Sequence, residues 1–83
     1  MNTSKSLKYT IIYTSEPEGG FTVTVPSLPG CVTYGKDLIQ AKKMIKDAIC
    51  LYIESLLKHK EKVPLEENSL ISSVDIDCPH SYA

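Results

Sequence analysis

The chain has 83 residues, 42% of them hydrophobic and 23% charged, which is ordinary for one small globular domain spanning 1–83. Its formal net charge is −1, with nine cationic side chains, all lysine, against ten acidic ones. Arginine is the preferred bidentate partner of phosphate and guanine, so its absence at near-neutral charge argues against an unaided grip on nucleic acid.

No stretch approaches the roughly 18 apolar residues of a membrane span, and the "MNTSKSLKYT" start lacks the apolar core of a signal peptide. Cys31, Cys50 and Cys78 are odd in number and form no C-x-x-C pair, which points to reduced, buried or half-buried thiols. A cytoplasmic chain without a metal or a disulfide framework is expected. A chain this short buries only about 60–65% of its unfolded surface, so self-association is a further expectation.

The first element is "LKYTIIYT" (Leu7 to Thr14), rich in β-branched and aromatic residues. Strand parity places Tyr9, Ile11 and Tyr13 on one face and Thr10, Ile12 and Thr14 on the other. "SEPEGG" is a turn signal, and "FTVTV" then alternates, with Phe21, Val23 and Val25 inward. Together these spell an antiparallel hairpin with Glu16 and Glu18 in its loop. Pro26 cannot donate to a sheet ladder and ends the second strand. Pro29-Gly30 suits the central positions of a type II turn, which leads into a third strand, "CVTY", stopped by Gly35.

From Asp37 the period changes. Asp37 and Gln40 have capping-box spacing, and Leu38, Ala41, Ile45, Ala48, Ile49, Tyr52 and Leu56 form one helical stripe. The helix is expected to run from Leu38 to between Lys58 and Lys60. Ile39, Cys50, Ile53 and Leu57 on one flank, with Met44 and Leu51 on the other, leave two readings open: a wide core face, or contact with another chain. After Pro64 and the loop "LEENSL", the alternation in "ISSVDIDC" predicts a fourth, edge-type strand with Val74 and Ile76 on one face and Asp75 and Asp77 on the other. The expected architecture is α+β, an antiparallel β-β-β-α-β chain with one long helix packed on a small sheet.

No catalytic set emerges. His59 stands among lysines at a helix end, His80 lies in a terminal stretch, and no G-x-S-x-G elbow occurs. Asp75 and Asp77 lack a third nearby carboxylate for a metal. The expectation is a chain that is not an enzyme and carries no cofactor.

The ordered series Gly19-Gly20-Phe21, Pro26, Leu28-Pro29-Gly30-Cys31, Thr33 and Gly35, followed directly by an amphipathic helix, resembles the HicB family. These are antitoxins of HicA–HicB toxin–antitoxin pairs, and the resemblance covers roughly Lys8 to Pro64. It implies a partial ribonuclease H-like fold without the enzyme's carboxylate set. It further implies a partner, a small basic HicA-type toxin that cleaves mRNA and is blocked by stoichiometric masking of its active surface. The expected toxin-facing residues are Glu16, Glu18, Gly19, Gly20, Phe21, Leu28, Pro29 and Gly30. The expected oligomer interface comprises Ile39, Cys50, Ile53, Leu57, Val74 and Ile76.

Where many relatives carry a C-terminal DNA-binding region, the residues after Pro64 contain no lysine or arginine, so direct operator binding is not expected of this chain. The alternative is a stand-alone homo-oligomeric scaffold or regulatory module with no toxin partner.

Overall fold

The computed structural model describes residues 7–66 and 70–79. Three short strands, β1 (Ile12–Ser15), β2 (Phe21–Thr24) and β3 (Val32–Gly35), precede one helix, α1 (Leu38–Lys58). The sheet is antiparallel in the order β1-β2-β3. Ile12, Thr24 and Val32 form one row across it, and Ser15, Phe21 and Gly35 form the row at the other end. The arrangement is α+β.

The parity read from the sequence holds. Val23, Val25, Leu28, Cys31, Ala41 and Ile45 are buried, and Tyr9, Ile11, Tyr13 and Phe21 pack against them. Leu28, Ile45 and Val23 are the largest fully buried side chains, and burying one of that size is worth about 1.5–3 kcal/mol. Tyr13 and Phe21 meet edge to face with centroids 6.3 Å apart, the geometry that the aromatic quadrupole favours. Burial pushes the Cys31 thiol pKa up, so it stays protonated and inert at neutral pH.

The helix begins as its cap residues dictate. Asp37 Oδ1 accepts from the Gln40 amide at 2.7 Å, and Gln40 Oε1 accepts from the Lys36 amide at 2.8 Å. Gly35 is buried against the first turn of α1, and a Cβ there would lie 2.7 Å from the Ala41 Cβ and closer still to the Ala41 backbone. The helix ends in a Schellman arrangement: the Lys60 amide donates to Leu57 O at 3.1 Å and the Glu61 amide to Leu56 O at 2.8 Å. Lys60 occupies the left-handed position that glycine usually fills, with φ +57°.

Four expectations are corrected. The fourth strand is absent: residues 70–78 have no regular secondary structure, because alternation gives a segment two faces without specifying the strand it pairs with. Ladder pairing in β1 starts at Ile12, not Leu7. Leu38, placed on the buried stripe, is 51% exposed at the first position of α1, whereas Ala41 in the same turn meets the sheet. Cys50 and Cys78 are exposed, not buried or half-buried. The wide-core reading of the helix flanks also fails, since Ile39, Met44, Leu51 and Leu57 are all exposed.

Two substitutions test this framework. Gly35→Ala is expected to cost about 1–3 kcal/mol, since the helix must move away from β3, and denaturant unfolding reads it directly. Lys60→Gly is expected to raise stability by about 0.5–1 kcal/mol by removing the left-handed cost of a side-chain-bearing residue. Thermal melts of the two variants should move in opposite directions.

Candidate functional site

The hairpin loop is braced from within. The Glu16 amide donates to Gly20 O at 3.0 Å, and the Gly19 amide donates to Glu16 O at 2.9 Å. Gly19 and Gly20 both have positive φ, and a Cβ on Gly20 would strike the Tyr34 ring. Tyr34 also donates its hydroxyl hydrogen to Gly19 O at 2.8 Å. The Glu16 carboxylate accepts from the Thr22 hydroxyl and is half-buried, so it serves the loop's own structure. Glu18, beside Pro17 at the tip, is exposed and carries the loop's outward negative charge.

The corner between β2 and β3 is equally rigid. The Leu28 amide donates to Val25 O and the Cys31 amide to Leu28 O, both at 3.0 Å, and Gly30 has the positive φ that a type II turn demands. Tyr52 on α1 fastens the corner by donating to Pro29 O at 2.7 Å. Leu28 points into the core and is fully buried, while Pro26, Pro29 and Gly30 are exposed.

The structure does not bring these two groups together. Antiparallel register puts the loop residues Glu16 to Phe21 at one end of the sheet and the Leu28-Pro29-Gly30 corner at the other. Three residue steps along β2 separate the ends, about 10 Å at roughly 3.3 Å per residue. Between them, on the face turned away from α1, lie two rows: Ile12, Thr24 and Val32, then Thr14, Thr22 and Tyr34. These six side chains bear no charge, and Ile12, Val32 and Tyr34 are about half exposed. A partner touching both ends must cover this face. Strand parity marked Ile12 and Thr14 as outward, but nothing local in the sequence singled out Val32 or Tyr34.

The expected oligomer residues are likewise dispersed. Ile39 stands exposed beside Lys42 and Lys43, while Cys50 and Ile53 line a separate groove of about 520 Å³ between α1 and the segment leading into β1. Leu57 is exposed near the helix end, and Val74 and Ile76 are exposed on the C-terminal segment. Among the described residues, no group of three or more His, Cys, Asp or Glu side chains could hold a metal ion, and no helix is long and apolar enough to cross a membrane.

Glu66 is a residue that sequence reasoning missed. Its carboxylate accepts from the Thr10 amide at 3.0 Å, the Thr10 hydroxyl at 2.9 Å and the Ser27 hydroxyl at 2.7 Å. Tyr9 adds a bond from its hydroxyl to Pro64 O at 2.6 Å. The chain leaving α1 is thereby latched to both the first strand segment and the β2–β3 corner.

The model of the HicB-like antitoxin of bacterial toxin–antitoxin systems matches residues 9–78, which spans the loop, the corner, α1 and the latch. The chain belongs to the HicB-like antitoxin family. It is 53% identical over 58 residues to a UPF0150 protein of Thermoplasma acidophilum, covering 70% of this chain and 84% of that protein. A UPF0150 protein of Synechocystis is 39% identical over 59 residues, covering 71% and 75%. Antitoxin HicB of Escherichia coli K12 is 30% identical over 79 residues, covering 93% of this chain and 56% of the antitoxin. This HicB-like chain therefore spans a little over half the length of that longer antitoxin and most of the length of the UPF0150 proteins.

The latch of this HicB-like domain has a defined pH window. The hydrogen bonds from Ser27 and Thr10 hold the Glu66 carboxyl pKa below its ordinary value of about 4.5. A lowered folded-state pKa means stabilisation that is complete above the unfolded value and is lost as pH falls through the folded one. Tyr9 is raised above its ordinary value of 10.0, by burial first and then by the Glu66 charge, so its share is present below that value and fades as pH rises past it. Glu66→Gln should therefore melt earlier than wild type at neutral pH, with the gap closing below the ordinary Glu range. Melting curves between pH 3 and pH 8 check this, and a gap that does not change with pH would contradict it.

Proposed function

We propose that this chain is a non-enzymatic antitoxin that binds a small toxin ribonuclease of the HicA type and masks it by stoichiometric contact. The observation that carries the reading is membership of the HicB-like antitoxin family over nearly the whole described chain. The surface that fits the role is the face opposite α1, framed by the Glu18 loop at one end and the Pro29-Gly30 corner at the other. Its centre is uncharged and apolar enough to be desolvated, while its acidic rim suits a basic, RNA-binding partner. Glu16, Gly19 and Gly20 support that rim by fixing the loop, and Phe21 and Leu28 support it from the core.

Co-expression with a candidate toxin tests the reading: co-purification and rescue of growth are expected, and a toxin that remains free and lethal would refute it. Within a complex, Glu18→Ala should weaken binding by no more than about 5-fold at low salt, with little effect at high salt, since an exposed charge pair is worth only about 0.2–1 kcal/mol. Tyr34→Ala, on the β3 side of the face, should cost more than tenfold, on the scale of a buried aromatic contact. Affinity unchanged in both variants would remove this face from the interface.

A second reading, a stand-alone homo-oligomeric module with no toxin partner, draws support from the exposed Ile39, Leu51 and Leu57 on α1. A chain that self-associates, yet neither binds nor neutralises a candidate toxin, would favour it.

A further inference from the structure

The helix sits off-centre on its sheet. α1 packs against β3 and β2 and not against β1, so the inner side of the first strand segment is left open to a groove of about 520 Å³. Apolar side chains form its lining, Ile11 from the strand side and Ile45, Ile49 and Ile53 from the helix. Three lysines, Lys8, Lys42 and Lys46, also line it, and no acidic side chain does. β1 is an edge strand, so one of its two ladders has no strand partner among the described residues.

The C-terminal segment is the complement of this groove. Leu70, Ile71, Val74 and Ile76 are 98%, 72%, 79% and 71% exposed, so four large apolar side chains of one short segment face water together. Asp75 and Asp77 alternate with Val74 and Ile76, and residues 70–78 include no cation. In the structure this segment does not occupy its own groove.

We propose that residues 70–78 of a second copy of this chain pair with the free edge of β1 and fill the groove beneath α1, with the exchange reciprocated. Val74 and Ile76 enter the groove against Ile49 and Ile53. Asp75 and Asp77 then fall on the outer side, away from the apolar lining of the groove. Each segment gains the pairing edge that its alternation requires, and each edge strand gains a neighbour. Two identical arms in two identical grooves form a closed twofold dimer that does not propagate. The proposal does not depend on toxin binding, and the two fail separately.

Light scattering on the size-fractionated full-length chain is expected to give twice the chain mass. Val74→Asp with Ile76→Asp should return it to one chain mass with an unchanged far-ultraviolet circular dichroism spectrum, because neither residue belongs to the core of its own copy. A wild-type monomer, or a dimer that survives the double substitution, would overturn the proposal.

Disulfide trapping separates exchange from closure within one copy. One chain carries Cys50→Ser, Cys78→Ser and Ile76→Cys, and the other carries only Cys78→Ser, so that it keeps Cys50 in the groove. Mild oxidation of the mixture should link one chain of each kind. A chain combining Ile76→Cys and Cys78→Ser that instead closes on its own Cys50 as a monomer would show the segment docking in its own copy, against the proposal.

Discussion

The contact between Gly35 and Ala41 governs the placement of everything else. A glycine at the end of β3 and an alanine in the first turn of α1 let the helix approach the sheet closely, with both residues buried. That approach sits at one edge of a three-stranded sheet, so the helix runs over β3 and β2 and leaves β1 aside. Ala41 and Ile45 reach the core, whereas Ile39, Leu51 and Leu57, on the flanks of the same helix, do not. The groove beside β1 and the exposed apolar flanks follow from this single close approach.

A core of six buried residues among the described ones leaves little margin, and the loops make up part of the difference through hydrogen bonds. Tyr34 reaches the hairpin loop, Tyr52 reaches the corner, and Tyr9 reaches the segment after the helix. Each tyrosine sets its hydroxyl on a backbone carbonyl, and Tyr9 and Tyr52 also pack their rings against the core, so that one side chain both packs and fastens. The loop and the corner are therefore rigid brackets at the two ends of an uncharged sheet face. A partner-binding surface benefits from that rigidity, since little entropy remains to be lost on association.

Much of this was legible in the sequence because it is local. Pro29-Gly30 presets the dihedrals of the corner, Asp37 and Gln40 mark the helix start, and alternation assigns Val23 and Val25 to the core. What escaped is what depends on distant partners. The role of Glu66 lies in bonds to Thr10 and Ser27, 56 and 39 residues away, and nothing in "LEENSL" distinguishes Glu66 from Glu67 beside it. The family resemblance groups the loop with the corner, but antiparallel pairing carries them to opposite ends of β2. Leu28 looked like a contact residue from its turn and is a core residue by its direction.

The absent fourth strand belongs to the same class. Val74, Asp75, Ile76 and Asp77 encode the faces of a strand without encoding what it pairs with, and residues 70–78 adopt no ladder in their own copy. Segment and edge are each incomplete: one has apolar side chains in water, and the other has no strand partner on its outer side among the described residues and an open apolar groove. Exposed edges and exposed apolar segments are both liabilities that folded proteins cover. A reciprocal exchange covers both at once with no further component, and it leaves the outer face between Glu18 and Gly30 available to a different partner.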